Sequence, residues 1–423
     1  MISSHSSTEA SAQSQDENGA WLEDVPDLAP EERGLMMFLL YRRQTLHFNV
    51  VSPSFEDAAQ RSFEAPLPAA LPVLKDAYLA YAGTLKASFY TDTPTVADAD
   101  ANLTLRHASS ALETLRTLPV GSSEDAMLCL TLGIALALYI YGAVGVGAPD
   151  ICHYCLSVAR PYIEDPTATT ISSSSCQSLE TEPQLIFMVL LETMDCAVHR
   201  RKPTLKIRVH SSTAPAPDRV GVDRHLGLCL PLLPYYYDLC VISHSLIDGE
   251  NASLVSILHQ HLRRIQAAVN RWQPSPPEGF VHEFSSVEVV HLLVQARVYR
   301  LAALLMAHRL QYTFGHESAD AQADIWSREI MMELDMARRV TQRPIRFVTL
   351  PFIVAAIEIR DPVARIKADE NVDEYVDRFM PVVQEATRTF LSRIWRERDV
   401  GAISSWFDSV HKPCVTLDSL GDV

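Results

Sequence analysis

The stretch SSVEVVHLLVQARVYRLAALLMAHRL, residues 285–310, decides the fold class of this chain. Its apolar residues recur at every third or fourth position, which is the period of one face of an α-helix. That stripe consists of Val290, Val294, Val298, Leu301 and Leu305. The basic residues Arg297, Arg300 and Arg309 are expected on the faces that stay in water. The stretch therefore predicts a long amphipathic helix packed against a hydrophobic core.

The same helical period recurs along most of the chain. In one further stretch, a single face carries Leu71, Leu74, Tyr78, Tyr81 and Leu85. Alternating strand patterns are scarce, and the best candidate is residues 204–210, in a connector rich in proline and serine. The sequence therefore predicts an all-α fold, a large multi-helix domain of antiparallel helix pairs over residues 30–411 with a C-terminal tail, 412–423. A proline-rich break at residues 274–277 separates two helical blocks.

The composition restricts the class of protein. The 423 residues are 48% hydrophobic and carry a formal net charge of −16, which allows a large core but opposes unaided contact with DNA phosphates. The closest of the eight cysteines, Cys152 and Cys155, lack a second pair at a spacing that would complete a zinc site. The polar start MISSHSSTEA is unlike a signal peptide. We expect packed, reduced cysteines in a cytosolic or nuclear protein with no metal and no cofactor.

The first 29 residues divide into two parts. A serine-rich part without periodicity precedes DENGAWLEDVPDLAPEE, where acidic residues are interleaved with Trp21, Leu22, Val25 and Leu28. Such interleaving keeps apolar side chains in water until a partner surface binds them. The sequence thus predicts a disordered acidic tail, residues 1–29, in which these four side chains form an activation segment. The alternative is an ordinary acidic leader before the first helix.

One motif raises the question of catalysis. His244, Asp248 and Gly249 have the His-x-x-x-Asp-Gly spacing of acyl-CoA-dependent acyltransferases, in which the histidine is the general base. That fold needs alternating strands through two α/β subdomains, and the surrounding sequence lacks them. We predict instead that His244 lies in the core or between helices, with Asp-Gly as the turn. No residue is predicted to be catalytic, so an enzyme is not expected, and the acyltransferase stays the alternative.

A second segment raises the question of a membrane. Residues 126–147, AMLCLTLGIALALYIYGAVGVG, carry no charge over about twenty positions, the length that spans a bilayer. The segment is single and its flanks are acidic, so the preferred interpretation is a helix buried at the centre of a large domain. A single-span membrane-associated helical protein remains the alternative.

From about residue 31 to 410 the order of these features resembles the regulatory, or middle homology, domain of fungal zinc-cluster transcription factors. The likeness rests on ERGLMMFLLYRRQTLHF, LPVLKDAYLAYAGTLKAS, VHLLVQARVYRLAALLMAHRLQYTFG and FLSRIWRERDVGAISSWFDSV, the last with Trp395 and Trp406 around a short break. VTLPFIVAAIEIRDPVARI adds Leu350, Pro351, Phe352, Ala355, Glu358, Asp361 and Arg365. Two features depart from the family: residues 1–29 contain no cysteine where its six-cysteine DNA-binding cluster would stand, and VAAIEI lacks a common glycine.

The resemblance implies a nuclear transcriptional regulator, of a kind that often controls secondary-metabolite gene clusters. It would act through its helical domain without a zinc cluster of its own, as a homodimer or with a zinc-cluster protein or other regulators, and contact DNA only indirectly. A small effector is a further expected ligand, and no membrane contact is expected. For nuclear import the basic run HRRKPTLKIR offers Arg200, Arg201, Lys202, Lys206 and Arg208. A solvated helix end is the alternative interpretation of that run.

Overall fold

Helices make up the regular structure of the part of the chain that the computed structural model describes. Those residues run from 20 to 405, apart from 24, 27, 43–44, 46–48, 90–96, 146–147, 165–182, 208–220, 248–251 and 378–379. Within them, the extended pairing is limited to one isolated antiparallel bridge between Asp223 and Gly227. The predicted all-α fold is confirmed, and residues 204–207 of the strand candidate form no strand.

The helices follow one another along the chain. Those before residue 200 are α1 (Ala20–Glu23), α2 (Pro30–Tyr41), α3 (Glu56–Glu64), α4 (Leu67–Phe89), α5 (Ala97–Thr117), α6 (Ser123–Ala143), α7 (Ala148–Glu164) and α8 (Pro183–His199). Those after it are α9 (Leu233–Ser245), α10 (Ala252–Arg271), α11 (Phe280–Glu283), α12 (Ser286–Arg309), α13 (Glu317–Thr341), α14 (Thr349–Ile357), α15 (Pro362–Glu370), α16 (Val372–Tyr375) and α17 (Pro381–Asp399). Single 3₁₀ turns occupy Pro53–Phe55 and Leu230–Leu232.

Successive long helices pack as antiparallel neighbours. The three most extensive helix contacts are those of α4 with α5, α6 with α7, and α12 with α13. Residues 144–147 join α6 to α7, and residues 310–316 join α12 to α13. Helices of this length that are joined by so few residues lie side by side only if the chain reverses direction. The predicted arrangement in antiparallel pairs is therefore confirmed.

Helix α6 lies at the centre of the domain, against α4, α5, α7, α8 and α17. Ser122 caps it by accepting the N–H of Asp125, and an uninterrupted run of buried residues follows from Cys129 to Ile140. Both α6 and α12 are long and apolar enough to cross a membrane, and 72% and 67% of their most apolar segments are buried inside the protein. The predicted core position of residues 126–147 is confirmed for the part that forms α6.

Helix α12 begins with a reciprocal cap. The Ser285 hydroxyl accepts the N–H of Glu288, and the Glu288 carboxylate accepts the N–H of Ser285. The apolar stripe predicted for this helix is buried, with Val290 half-buried at its start. Arg309 differs from the prediction, because its side chain is completely enclosed rather than in water. Buried carboxylates from two other helices take the place of water there.

Candidate functional site

The residues that carry the family resemblance meet at one junction of helices. Leu350, Pro351, Phe352 and Ala355 are buried along α14. After α14, the Asp361 carboxylate accepts the N–H of Ala364 at 2.9 Å and so caps α15. A capped start of this kind fixes the angle at which α15 leaves the core.

Helix α17 closes the same junction. The Trp395 indole donates to the carbonyl oxygen of Ala356 at 2.9 Å. Arg365 of α15 donates to the Asp399 carboxylate at the end of α17, at 2.8 Å. These bonds tie α14, α15 and α17 together, and the residues involved lie far apart in sequence. Trp406 lies outside the described residues.

A charge cluster occupies the junction, formed by the buried Arg309, Asp320 and Glu358, the largely buried Arg398 and the exposed Arg360; we call it the buried charge cluster. Arg309 donates to both oxygens of Glu358, at 2.8 Å and 2.7 Å, and its third nitrogen lies 2.8 Å from Asp320. Arg360 lies 2.7 Å from Asp320, and Arg398 lies 3.6 Å from Glu358. The cluster thereby connects the end of α12, the start of α13, the end of α14 and the end of α17.

The cluster sets three guanidinium groups against two carboxylates, and each carboxylate lies near two of the arginines. Burial alone would lower the pKa of Arg309, but its bonds to Glu358 and then to Asp320 outweigh burial and raise that pKa. Burial alone would raise the pKa of Asp320, but Arg309 and the N–H of Gly315 lower it. The Phe314 ring packs under two of the guanidinium groups, at 4.7 Å and 4.4 Å. These ion pairs thus join the ends of four helices.

Sequence reasoning missed this cluster. An arginine at the end of an apolar helix has the same local pattern whether water or a buried carboxylate faces it. Glu358 could have pointed to the cluster, because this carboxylate directly follows the apolar run that forms α14. A carboxylate buried at such a position is stable only when a cation pairs with it.

A pocket lies beside α3, α6 and the start of α8. Its empty volume is about 480 Å³ with open solvent included, and Phe63 and Phe187 line it. The His225 ring lies 4.7 Å from the ring of Phe187, and burial lowers the pKa of His225 to about 4, so this histidine is neutral near pH 7. The lining also includes Asn49 and Gln184, whose side-chain oxygens have no hydrogen-bond partner among the described residues. No sequence motif pointed to this pocket.

The predicted activation segment is packed onto the domain. The Trp21 indole donates to Glu64 at 3.0 Å, Leu22 and Leu28 are 0% and 4% exposed, and Val25 packs against the core. The predicted tail boundary at residue 29 is therefore too late, because these apolar side chains already reach the core; residues 1–19 lie outside the described residues. The activation role of the four residues stays a prediction, and it requires them to leave the core.

The predicted import run is only partly accessible. Arg200 is buried and donates to the carbonyl oxygen of Ser243 at 2.9 Å. Arg201 and Lys206 are exposed but pair with Asp150 at 3.2 Å and Asp238 at 2.6 Å. Lys202 is exposed, and Arg208 lies outside the described residues. The role of the run in import stays a prediction.

The other candidate residues named from the sequence are His244, with its Asp-Gly motif, and the cysteine pair. His244 donates from Nδ1 to the carbonyl oxygen of Arg200 at 3.0 Å, so it joins the ends of α9 and α8, although its side chain is exposed rather than in the core. Asp248 and Gly249 lie outside the described residues. Cys152 and Cys155 are fully buried, which confirms their predicted role in packing. Nowhere in the described ranges do three potential metal ligands converge.

The comparison with known proteins agrees with the resemblance. No curated protein and no solved structure matches this chain. The family model of the fungal-specific transcription factor domain matches residues 49–417. That match spans most of the chain and includes both the buried charge cluster and the pocket. The chain therefore belongs to the family of fungal-specific transcription factor domains.

Proposed function

We propose that this chain regulates transcription in the fungal nucleus, at a secondary-metabolite gene cluster, by binding other regulators rather than by catalysis. The match to the family over residues 49–417 carries the proposal. The charge cluster supports it, because both of its carboxylates are held by arginines and so are not free to act as an acid or a base on a substrate.

We further propose that DNA is reached through a partner that carries a zinc cluster. The net charge of −16 opposes direct binding to phosphates. The described basic run offers little compensation, because Arg200 is buried and two of its neighbours pair with carboxylates. We also propose that the small effector binds in the pocket beside α6, a proposal supported by two side-chain oxygens there that lack partners among the described residues.

The decisive experiment tethers the full chain to a heterologous DNA-binding domain in a fungal reporter strain. Reporter transcription is expected to change by several fold relative to the DNA-binding domain alone. Deletion of the gene should change the transcripts of one contiguous gene cluster, and purification from nuclear extract should recover a zinc-cluster protein. An unchanged reporter together with recovery of metabolic enzymes alone would refute the proposal.

One substitution distinguishes the acyltransferase alternative from the proposed function. His244→Ala removes the imidazole that an acyl-transfer mechanism would need as its base. Under the proposed function this variant regulates the reporter as the unaltered chain does. Loss of regulation by a variant that remains folded, as judged by circular dichroism, would favour the enzyme.

A further inference from the structure

The last turn of α13 carries a threonine hydroxyl that follows two arginines. Its sequence, Arg338-Arg339-Val340-Thr341, ends the helix. Protein kinases whose substrate groove is lined by carboxylates select serine and threonine hydroxyls that shortly follow cations in the sequence. Charge alone does not make such a site, because the hydroxyl must also be reachable and the phosphate must be tolerated where it forms. The contacts of Thr341 meet both conditions.

The segment around Thr341 lies at the surface, and we call residues 338–344 the acceptor segment. None of its residues is buried. The side chains of Arg338 and Arg339 are 38% and 73% exposed, and each pairs with a carboxylate at the surface, where ion pairs contribute little stability. The helix ends at Thr341, and the next residue has a left-handed backbone. A kinase therefore needs to open only the last turn of a helix, which is the part that frays most readily.

The Thr341 hydroxyl lies in electropositive surroundings. Its oxygen lies 2.8 Å from Nε2 of His291 on α12. The pKa of His291 is lowered to about 4, first by burial and then by the cations Arg346 and Arg343. Glu288 acts on that pKa in the opposite direction but does not outweigh them. The histidine is therefore neutral near pH 7, and the charges that act on it are mainly positive.

A phosphate at this position has two groups that can hold it. It carries about two negative charges at pH 7 and accepts several hydrogen bonds. Arg343 follows the acceptor by two residues, is exposed and forms no ion pair with the described residues. His291 already contacts the acceptor oxygen and can take up a proton. The end of a helix disfavours an anion, but charge-assisted hydrogen bonds to an arginine and a protonated histidine are stronger than that effect.

We propose that Thr341 is phosphorylated by a protein kinase that selects basic substrates, and that Arg343 and His291 hold the phosphate. ATP is the phosphoryl donor. The bond from its γ-phosphorus to the ADP oxygen breaks, and a bond from that phosphorus to Oγ1 of Thr341 forms. The hydroxyl proton passes to a carboxylate of the kinase, and ADP leaves. The phosphate then ties the end of α13 to α12, and this modification is independent of the proposed regulatory function.

Thr204 has the same preceding charges in the opposite surroundings. Arg201 and Lys202 stand three and two residues before it, as two arginines do before Thr341. Its hydroxyl and its N–H both donate to Glu192, a carboxylate that is only 2% exposed. The exposed His153 also contacts the hydroxyl, at 2.7 Å. A phosphate on Thr204 would face the buried carboxylate and be repelled, so Thr204 is a matched control with a similar sequence and an unsuitable environment.

Phosphorylation of the full chain tests the choice of acceptor. The chain is incubated with ATP and the catalytic subunit of cyclic-AMP-dependent protein kinase, and mass spectrometry measures phosphate at each threonine. In the folded chain, Thr341 is expected to react about tenfold faster than Thr204. After heat denaturation the two rates should approach each other, because Glu192 no longer holds Thr204. An unmodified Thr341, or equal rates in the folded chain, would overturn the proposal.

The role of the two arginines is tested by removing them. The double variant Arg338→Gln/Arg339→Gln should be phosphorylated at Thr341 about tenfold more slowly or worse. The double variant Arg263→Gln/Arg264→Gln removes the same charge at exposed positions on α10 and should react at the original rate. Circular dichroism confirms that both variants are folded. A rate that does not change in the first variant would overturn the proposal.

The docking of the phosphate is tested at His291. A nearby phosphate stabilises the protonated imidazole, so phosphorylation should raise the pKa of His291 from about 4 to above about 6. Nuclear magnetic resonance of the chain with labelled histidines gives this pKa, and the His291→Gln variant identifies the resonance. Thr341→Val treated with kinase and ATP is the control and should show the original pKa. An unchanged pKa in a chain phosphorylated at Thr341 would show that His291 does not hold the phosphate.

Discussion

Arg309 shows how far a single buried residue can depend on distant partners. It donates to both oxygens of Glu358 and is itself fully enclosed. Arg309→Met leaves that carboxylate buried without its main partner, so the free energy of unfolding should fall by about 3–5 kcal/mol. The double variant Arg309→Met/Glu358→Gln should lose less, because residue 358 then carries no charge that lacks its main partner.

Urea unfolding of these variants measures the effect. Arg297→Met is the control, since Arg297 forms an ion pair with Glu333 on the surface and is 60% exposed; its cost should stay below about 1 kcal/mol. If the double variant were as unstable as the sum of its two single variants, the coupling between Arg309 and Glu358 would be absent.

Glu288 should make stability depend on pH. Burial alone would raise its pKa, but the hydroxyls of Ser52 and Ser54 and the N–H of Ser285 lower it to about 2. Ser54 contributes both its N–H, at 2.9 Å, and its hydroxyl, at 2.7 Å. Because the folded pKa lies below the unfolded value, the stabilisation is complete above the unfolded pKa and is lost as the pH falls through the folded one.

The expected cost of Glu288→Gln is therefore about 3 kcal/mol near pH 7, and it should shrink steadily below about pH 4.5. Urea unfolding midpoints of this variant and the unaltered chain, compared at several pH values from 7 down to the folded pKa of about 2, provide the measurement. A difference in stability that stays constant over that range would show that the carboxylate charge plays no part.

At the scale of helices, Gly133 sets how closely α6 approaches its neighbours. A Cβ at this position would lie 2.4 Å from Sγ of Cys155 on α7 and 3.0 Å from Cε of Met188 on α8. Alanine normally stabilises a helix by about 1 kcal/mol relative to glycine. Here the crowding outweighs that gain, and Gly133→Ala should destabilise the protein by about 1–3 kcal/mol.

Gly34→Ala is the matched control for Gly133→Ala. Gly34 lies in α2, and no atom would come within 4 Å of an added Cβ, so thermal unfolding should show a gain of up to about 1 kcal/mol. Combining Gly133→Ala with Cys155→Ala should recover part of the loss, since the nearest clashing atom is removed. Equal gains from both glycine substitutions would contradict the close approach of α6 and α7.

At the scale of the whole molecule, the N-terminal segment belongs to the folded domain. A chain that begins at residue 30 lacks Leu22 and Leu28, which are 0% and 4% exposed, and the bond from Trp21 to Glu64. Each buried leucine contributes about 1.5–3 kcal/mol, so this truncation should lower the melting temperature. Leu105→Ala, at a side chain 57% exposed, is the control and should change little. Equal melting temperatures for the truncated and full chains would show that the segment does not contribute to stability.

The functional region was partly predictable from the sequence. Glu358, Asp361, Arg365 and Trp395 were named through the family resemblance, and the structure brings them to one junction. Asp320, Arg360 and Arg398 were not named, and neither was the pocket beside α6. Those groups are polar residues on separate helices without a shared motif, so only the packing of the helices assembles them.

By itself, the sequence determined that this protein is helical, where its long helices lie and which of their faces are apolar. These properties depend on the period of side chains along a few turns, and that information is local. Tertiary structure alone decided what faces each charged or apolar side chain. Arg309 is buried because Glu358, 49 residues further along the chain, lies against it, and Leu22 and Leu28 are buried because the core surrounds them. Whether a side chain is buried depends on segments that are distant in sequence. The local sequence pattern describes the side chain itself but not the residues that pack against it.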